Sequence, residues 1–109
     1  MSGRKPRQFR FPNGNTVEVF TIGELATELG RTRDAIRKWE LSGVLPPTCF
    51  RDSRGHRLYT QEQIDMIRLS AEESKLSAGR NSLRTFSAKV HRRLKELEDK
   101  YKILGGYVE

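Results

Sequence analysis

The spacing of apolar positions along this chain shifts between two and an average near 3.6, and the shifts mark its elements. Phe9 and Phe11 alternate with polar neighbours, as do Val17 and Val19, and Asn13-Gly14 between them tolerates positive φ. That pattern predicts a hairpin, with Pro12 at its end, where a missing N–H costs least. At Thr21 the period changes. Ile22, Leu25, Ala26 and Leu29 fall on one helical face, and Thr21 with Glu24 has the capping-box spacing in which each side chain satisfies the other's backbone N–H. Gly30 ends this helix. Thr32 caps a second one, with Asp34 in its electropositive first turn, Ile36 turned inward, Arg33, Arg37 and Lys38 outward, and Gly43 at its C-terminal end. Two helices joined by so short a turn cross steeply, so the second projects its N-terminal turn.

Pro46-Pro47 stops any continuation. Thr48 to Tyr59 then reads as a second hairpin, TCFR and HRLY around Asp52-Ser53-Arg54-Gly55, with glycine at the left-handed position. Thr60 and Gln63 form another capping box, opening a helix with Ile64, Ile67 and Ala71 on its buried side. Gly79 to Ser82 is read as an interruption. Beyond it Leu83, Phe86, Val90, Leu94, Leu97, Tyr101 and Leu104 recur at spacings of three and four, close to a coiled-coil seam; pairing of two copies into a homodimer is the first reading, and folding of the stripe back onto its own domain the alternative. Gly105 to Glu109 reads as a stop. The expected organisation is a flexible basic arm (1–7), a compact domain (8–74), and a basic, heptad-like C-terminal helix and tail (75–109).

Composition narrows the partners. The 109 residues are 35% hydrophobic, enough for one small domain. Lys and Arg number 21 against 14 Asp and Glu, a formal charge of +7, which favours a polyanion. Arg4, Lys5 and Arg7 make the N-terminus a candidate arm for phosphates or a minor groove. Between Lys75 and Lys95 there are seven basic residues and no acidic one. No apolar run approaches the roughly 18 residues of a membrane span, and the N-terminus lacks a secretory apolar segment; no membrane partner is expected. Cys49 is the sole cysteine, so no intrachain disulfide forms. Cys49, His56 and His91 match no metal-ligand spacing, and no phosphate loop, nucleophile elbow or paired-carboxylate site is visible. Neither metal nor cofactor is expected, and an enzyme is not.

FTIGELATELGRTRDAIRKWELSGVLPP followed by RDSRGHRLYTQEQIDMI resembles the winged-helix domain of the MerR family of bacterial regulators. That family's pattern has an Ile-Gly-Glu-Leu-Ala first helix, an Arg-aromatic-Glu recognition helix, Gly-Leu-Leu-Pro-Pro and a Gly-x-Arg-Leu-Tyr wing. The likeness covers roughly residues 20–71. It implies a mainly α fold with a small β wing, a winged helix-turn-helix plus a C-terminal helix. It further implies double-stranded DNA as partner, a recognition helix (33–42) in the major groove and a wing (48–59) on the backbone. Carried over, it puts Arg33 and Arg37 on the recognition helix, Trp39 where the family has an aromatic on the DNA backbone, and Arg57 at the wing arginine that holds phosphate. Lys38 departs from the family, where a second aromatic is common. Arg31, Arg54 and His56 complete the candidate surface, and arginine suits it because its planar fork matches guanine or two phosphate oxygens. The bland alternatives are a core role for Trp39, Leu58 and Tyr59 and a solvated face for the arginines.

Typical members continue into a dimerisation helix and an effector domain; this chain carries no cysteine cluster for sensing. The expected role is a small transcription regulator of bacterial or phage origin in the cytoplasm, associated with the nucleoid. The alternatives are a phage excisionase or other architectural recombination factor, or the DNA-recognition subunit of a viral packaging machine. A third is an adaptor whose Lys75 to Lys95 tract contacts RNA or an acidic partner.

Overall fold

The computed structural model describes residues 6–76 and 80–107, with Arg80 and Asn81 by backbone alone. Eight elements follow in order: β1 (Arg7–Arg10), β2 (Thr16–Thr21), α1 (Ile22–Leu29), α2 (Arg33–Ser42), β3 (Phe50–Arg51), β4 (Arg57–Thr60), α3 (Gln61–Glu73) and α4 (Arg80–Leu104). The four strands form one antiparallel sheet in the order β1-β2-β4-β3. The architecture is a mainly α winged helix-turn-helix in which the N-terminal hairpin extends the wing sheet. Among the described residues no helix is long and apolar enough to cross a membrane.

Local chemistry accounts for the helix starts. Thr21 with Glu24, and Thr60 with Gln63, make reciprocal capping boxes, and Thr32 accepts from the Ala35 N–H at 3.1 Å. The wing is shorter than its sequence suggests. Thr48 and Cys49 lie outside β3, because the Thr48 hydroxyl donates to the Leu58 carbonyl at 2.6 Å, a bond a strand N–H would otherwise make.

The sheet separates two cores, and period-two alternation assigns residues to them. On β2, Phe20 joins a helical core with Leu25, Ile36, Ile64 and Ile67, while Val19 joins a second core with Phe11 and Phe50. On β4, Tyr59 joins the first and Leu58 the second, so the core reading of both fits their burial.

α4 spans both cores. Phe86, Val90 and Leu94 enter the helical core and Tyr101 the second, with Leu97 touching both. Phe86 and Val90 are fully buried. The stripe read from sequence as a dimer seam thus faces this chain's own domain; Leu83 is half-buried against the same core, and only Leu104 is exposed. The physical reason is that heptad spacing specifies an apolar stripe and not its partner. The N-terminal hairpin builds a second apolar surface that α4 covers. Polar contacts fix the register: Tyr101 Oη meets the Thr60 hydroxyl and donates to Glu62 at 3.2 Å, and Arg93 reaches Ser70 and Glu73 at 2.9 and 2.7 Å. Asn13 and Asn15 side chains, from the β1–β2 turn, donate to the Leu104 carbonyl at 3.0 and 2.7 Å. Of the interruption expected at Gly79 to Ser82, residues 80–82 are already helical, and Gly79 lies outside the described residues.

Candidate nucleic-acid interface

The site forms where the N-termini of α1 and α2 meet the wing. Arg33 opens α2 and lies flat against α1: a Cβ added at Gly23 would sit 2.9 Å from its Nε, so glycine is what admits the guanidinium there. Arg37 follows one turn later and holds Asp34 at 2.7 Å. From the wing, Arg57 on β4 points toward the same place. These three arginines, with Arg7, His56, Gly55 and the start of α1, line a polar cleft of about 320 Å³.

The wing is bolted to α2 by a carboxylate. Glu40, with 8% of its side chain exposed, accepts from Arg57 Nε at 2.8 Å and Arg51 Nη2 at 3.4 Å through Oε1, and from the Thr48 N–H at 3.4 Å through Oε2. A charge this enclosed is tolerated only because it is paired. The pairing uses one edge of the Arg57 fork, and among the described residues its two Nη groups hold no hydrogen bond within the chain. Burial, and then Glu40 itself, push the nearby Tyr59 phenol well above its usual range.

The wing turn is built by Asp52. Its Oδ1 accepts from the Arg54 and His56 N–H groups, both at 2.9 Å, while Oδ2 faces His56 Nδ1 at 3.2 Å and Arg7 at 3.6 Å. Gly55 follows at φ +81°, where a side chain would be strained. These bonds, the His56 N–H first among them, hold the Asp52 carboxyl below its ordinary value.

The candidate residues therefore divide. Arg33, Arg37, His56 and Arg57 share the cleft. Arg54 is exposed at the wing tip beside it, and Lys38 is exposed on α2 outside it. Trp39 is half-buried and packs on Phe86 with ring centroids 5.2 Å apart, while Arg31 covers its ring at 5.7 Å, so the indole belongs to the core side of α2. Arg4 and Lys5 lie outside the described residues. Sequence reasoning missed Arg7 as part of this cleft and Glu40 as its brace. Glu40 stood in the Arg-aromatic-Glu pattern; Arg7 was read as the end of a flexible basic arm for phosphates, and the structure instead places it on β1, paired with Val19. Leu41, also on α2, is 81% exposed. The loop after α2 is gripped by α4, where Ser87 donates to the Val44 carbonyl at 2.9 Å and His91 Nε2–H to the Gly43 carbonyl at 2.8 Å.

A helix pair joined by a short turn, a wing and a cationic cleft between them define a winged helix-turn-helix domain. Residues 20–72 match the family model described as MerR HTH family regulatory protein, which supports a MerR-family-like helix-turn-helix domain over this stretch. The chain is also similar to a mercuric resistance operon regulatory protein of Bacillus cereus, 29% identical over 82 residues, which are 75% of this chain and 61% of that protein. The chain thus spans less than two thirds of that relative's length.

Proposed function

We propose that this chain binds double-stranded DNA in a sequence-specific manner and acts as a small transcription regulator. In this reading α2 enters the major groove, and the wing, with Arg54, His56 and Arg57, rests on the backbone. Arg37 and Lys38 face base edges, Arg33 and Arg57 face phosphates, and Arg31 and Trp39 support the helix from behind. The observation that carries the reading is the convergence of Arg33 and Arg37 from α2 with Arg57 from β4 on one cleft, although they are distant along the chain. Selection of bound duplexes from a random pool, followed by footprinting, tests it. An enriched motif with a protected stretch of about one helical turn supports it; affinity equal on every duplex would end the sequence-specific claim.

A recombination or packaging accessory factor is the second reading, favoured by one observation. The apolar stripe of α4 is occupied within the chain, which suits a protein that reads repeated sites one copy at a time. Footprints then decide: a single symmetric site supports regulation by a dimer formed through another surface, and several direct repeats support the accessory role.

A further inference from the structure

We propose that Arg7, carried by the N-terminal hairpin and lying before the matched stretch 20–72, is a DNA-phosphate ligand of the same cleft. On this view the hairpin is a working part of the interface. The inference rests on the reading of the cleft as a DNA surface and deepens it.

The register explains how a residue so early in the chain arrives there. Arg7 pairs with Val19, and Val19 pairs with Thr60 at the end of β4, so the hairpin is stitched to the wing strand and its first residue is carried to the mouth of the cleft. The Arg7 side chain is 56% exposed and lines the cleft with Arg33, Arg37, Arg57 and His56. Four guanidinium groups thus gather where α1 and α2 begin, and the electropositive helix ends add to their field. The neighbouring carboxylates are already engaged: Asp34 by Arg37, Glu40 by Arg57 and Arg51, and Asp52 by two backbone N–H groups and His56. Arg7 reaches Asp52 only at 3.6 Å, a contact beyond hydrogen-bonding distance. So dense an array of cations calls for an anion of comparable charge density, and a DNA backbone phosphate meets that requirement.

The test uses the full chain and one 20–30 base-pair duplex of fixed sequence, with affinity measured across a series of salt concentrations. Each phosphate neutralised contributes a slope of about 0.9 in log K against log salt. Arg7→Gln should therefore lower the slope by about 0.9 and weaken binding roughly five- to tenfold near 0.1 M salt. Arg7→Lys, which keeps the charge, should keep the slope. Arg10→Gln removes a like charge from the same strand outside the cleft and should retain more of the slope than Arg7→Gln. A parent that binds duplex while Arg7→Gln matches it in slope and affinity overturns the proposal and leaves the DNA reading standing. A loss shared by Arg7→Gln and Asp52→Asn, with a fall in Tm and no change of slope, also overturns it, because Arg7 would then be a strut for the wing. A parent that binds no duplex overturns both.

Discussion

Replacing Glu40 separates stability from binding, because one carboxylate holds the wing to α2 while neutralising part of the cleft. Glu40→Ala removes the acceptor for Arg57 Nε, Arg51 Nη2 and the Thr48 N–H. Breaking a buried ion pair by deleting one partner costs about 3–5 kcal/mol. Arg57 keeps 20% of its side chain exposed and Arg51 41%, so both recover some hydration. The expected loss is therefore about 2–3 kcal/mol, between a charged hydrogen bond and a fully buried pair. For a domain of this size that lowers Tm by roughly 8–20 °C. Glu40→Gln keeps an acceptor of the same shape and should cost about 1–2 kcal/mol. Urea denaturation with a constant m-value reads the difference. Binding should move the other way: formal charge rises from +7 to +8, Arg57 is held by a neutral acceptor only, and Glu40→Gln binds random duplex more tightly at low salt. A stability loss under ~0.5 kcal/mol for Glu40→Ala would refute the brace, placing Glu40 among ordinary surface residues.

Other expectations follow from the same geometry. Arg37→Ala should relax base preference by about 1–3 kcal/mol, read as the affinity ratio between a selected site and its scrambled version. Arg57→Ala should instead weaken binding on every sequence and flatten its salt dependence by about one unit of slope, checked by titrating two unrelated duplexes. The Asp52 and Glu73 carboxyls are both held below their ordinary values, the first chiefly by the His56 N–H and the second chiefly by Arg93. Their contribution to stability is present above the unfolded carboxylate pKa and is lost as pH falls through the lowered folded values. Asp52→Asn should therefore shallow the decline of Tm on acidification below about pH 4, the ordinary carboxylate range. Phe86→Ala, at a fully buried position against Trp39, should cost about 3–5 kcal/mol with a Tm independent of protein concentration. A concentration-dependent Tm in the parent would show self-association through some surface.

What could be read from the sequence was mostly local. Helix starts at Thr21, Thr32 and Thr60 depend on residues three positions away, so their caps were visible without a fold. Arg33, Arg37 and Arg57 were placed by family resemblance, and their shared cleft follows from the crossing of α1 and α2 beneath the wing. The remainder depended on contacts between distant segments. Arg7 enters the cleft only because Val19 pairs with Thr60, a registry that no alternation pattern specifies. The stripe from Leu83 to Leu104 was correctly seen as apolar, but a period near 3.5 is equally served by another chain or by the chain's own sheet. Trp39 was ambiguous because a half-buried indole on a charged helix suits either side; its contact with Phe86 depends on where α4 lies.

The grip of Asn13 and Asn15 on the Leu104 carbonyl joins positions about ninety residues apart, and it imposes an order of events on a chain made from its N-terminus. The ribosome releases Phe11 and its turn early, yet Tyr101, which closes the pocket they occupy, emerges about ninety residues later. The helical core closes when Phe86, Val90 and Leu94 arrive, while the hairpin still waits, its aromatic rings wet, for Tyr101. Stalled nascent chains whose emerged part ends near residue 96 should therefore be cut by protease at the hairpin and spared between α1 and α3.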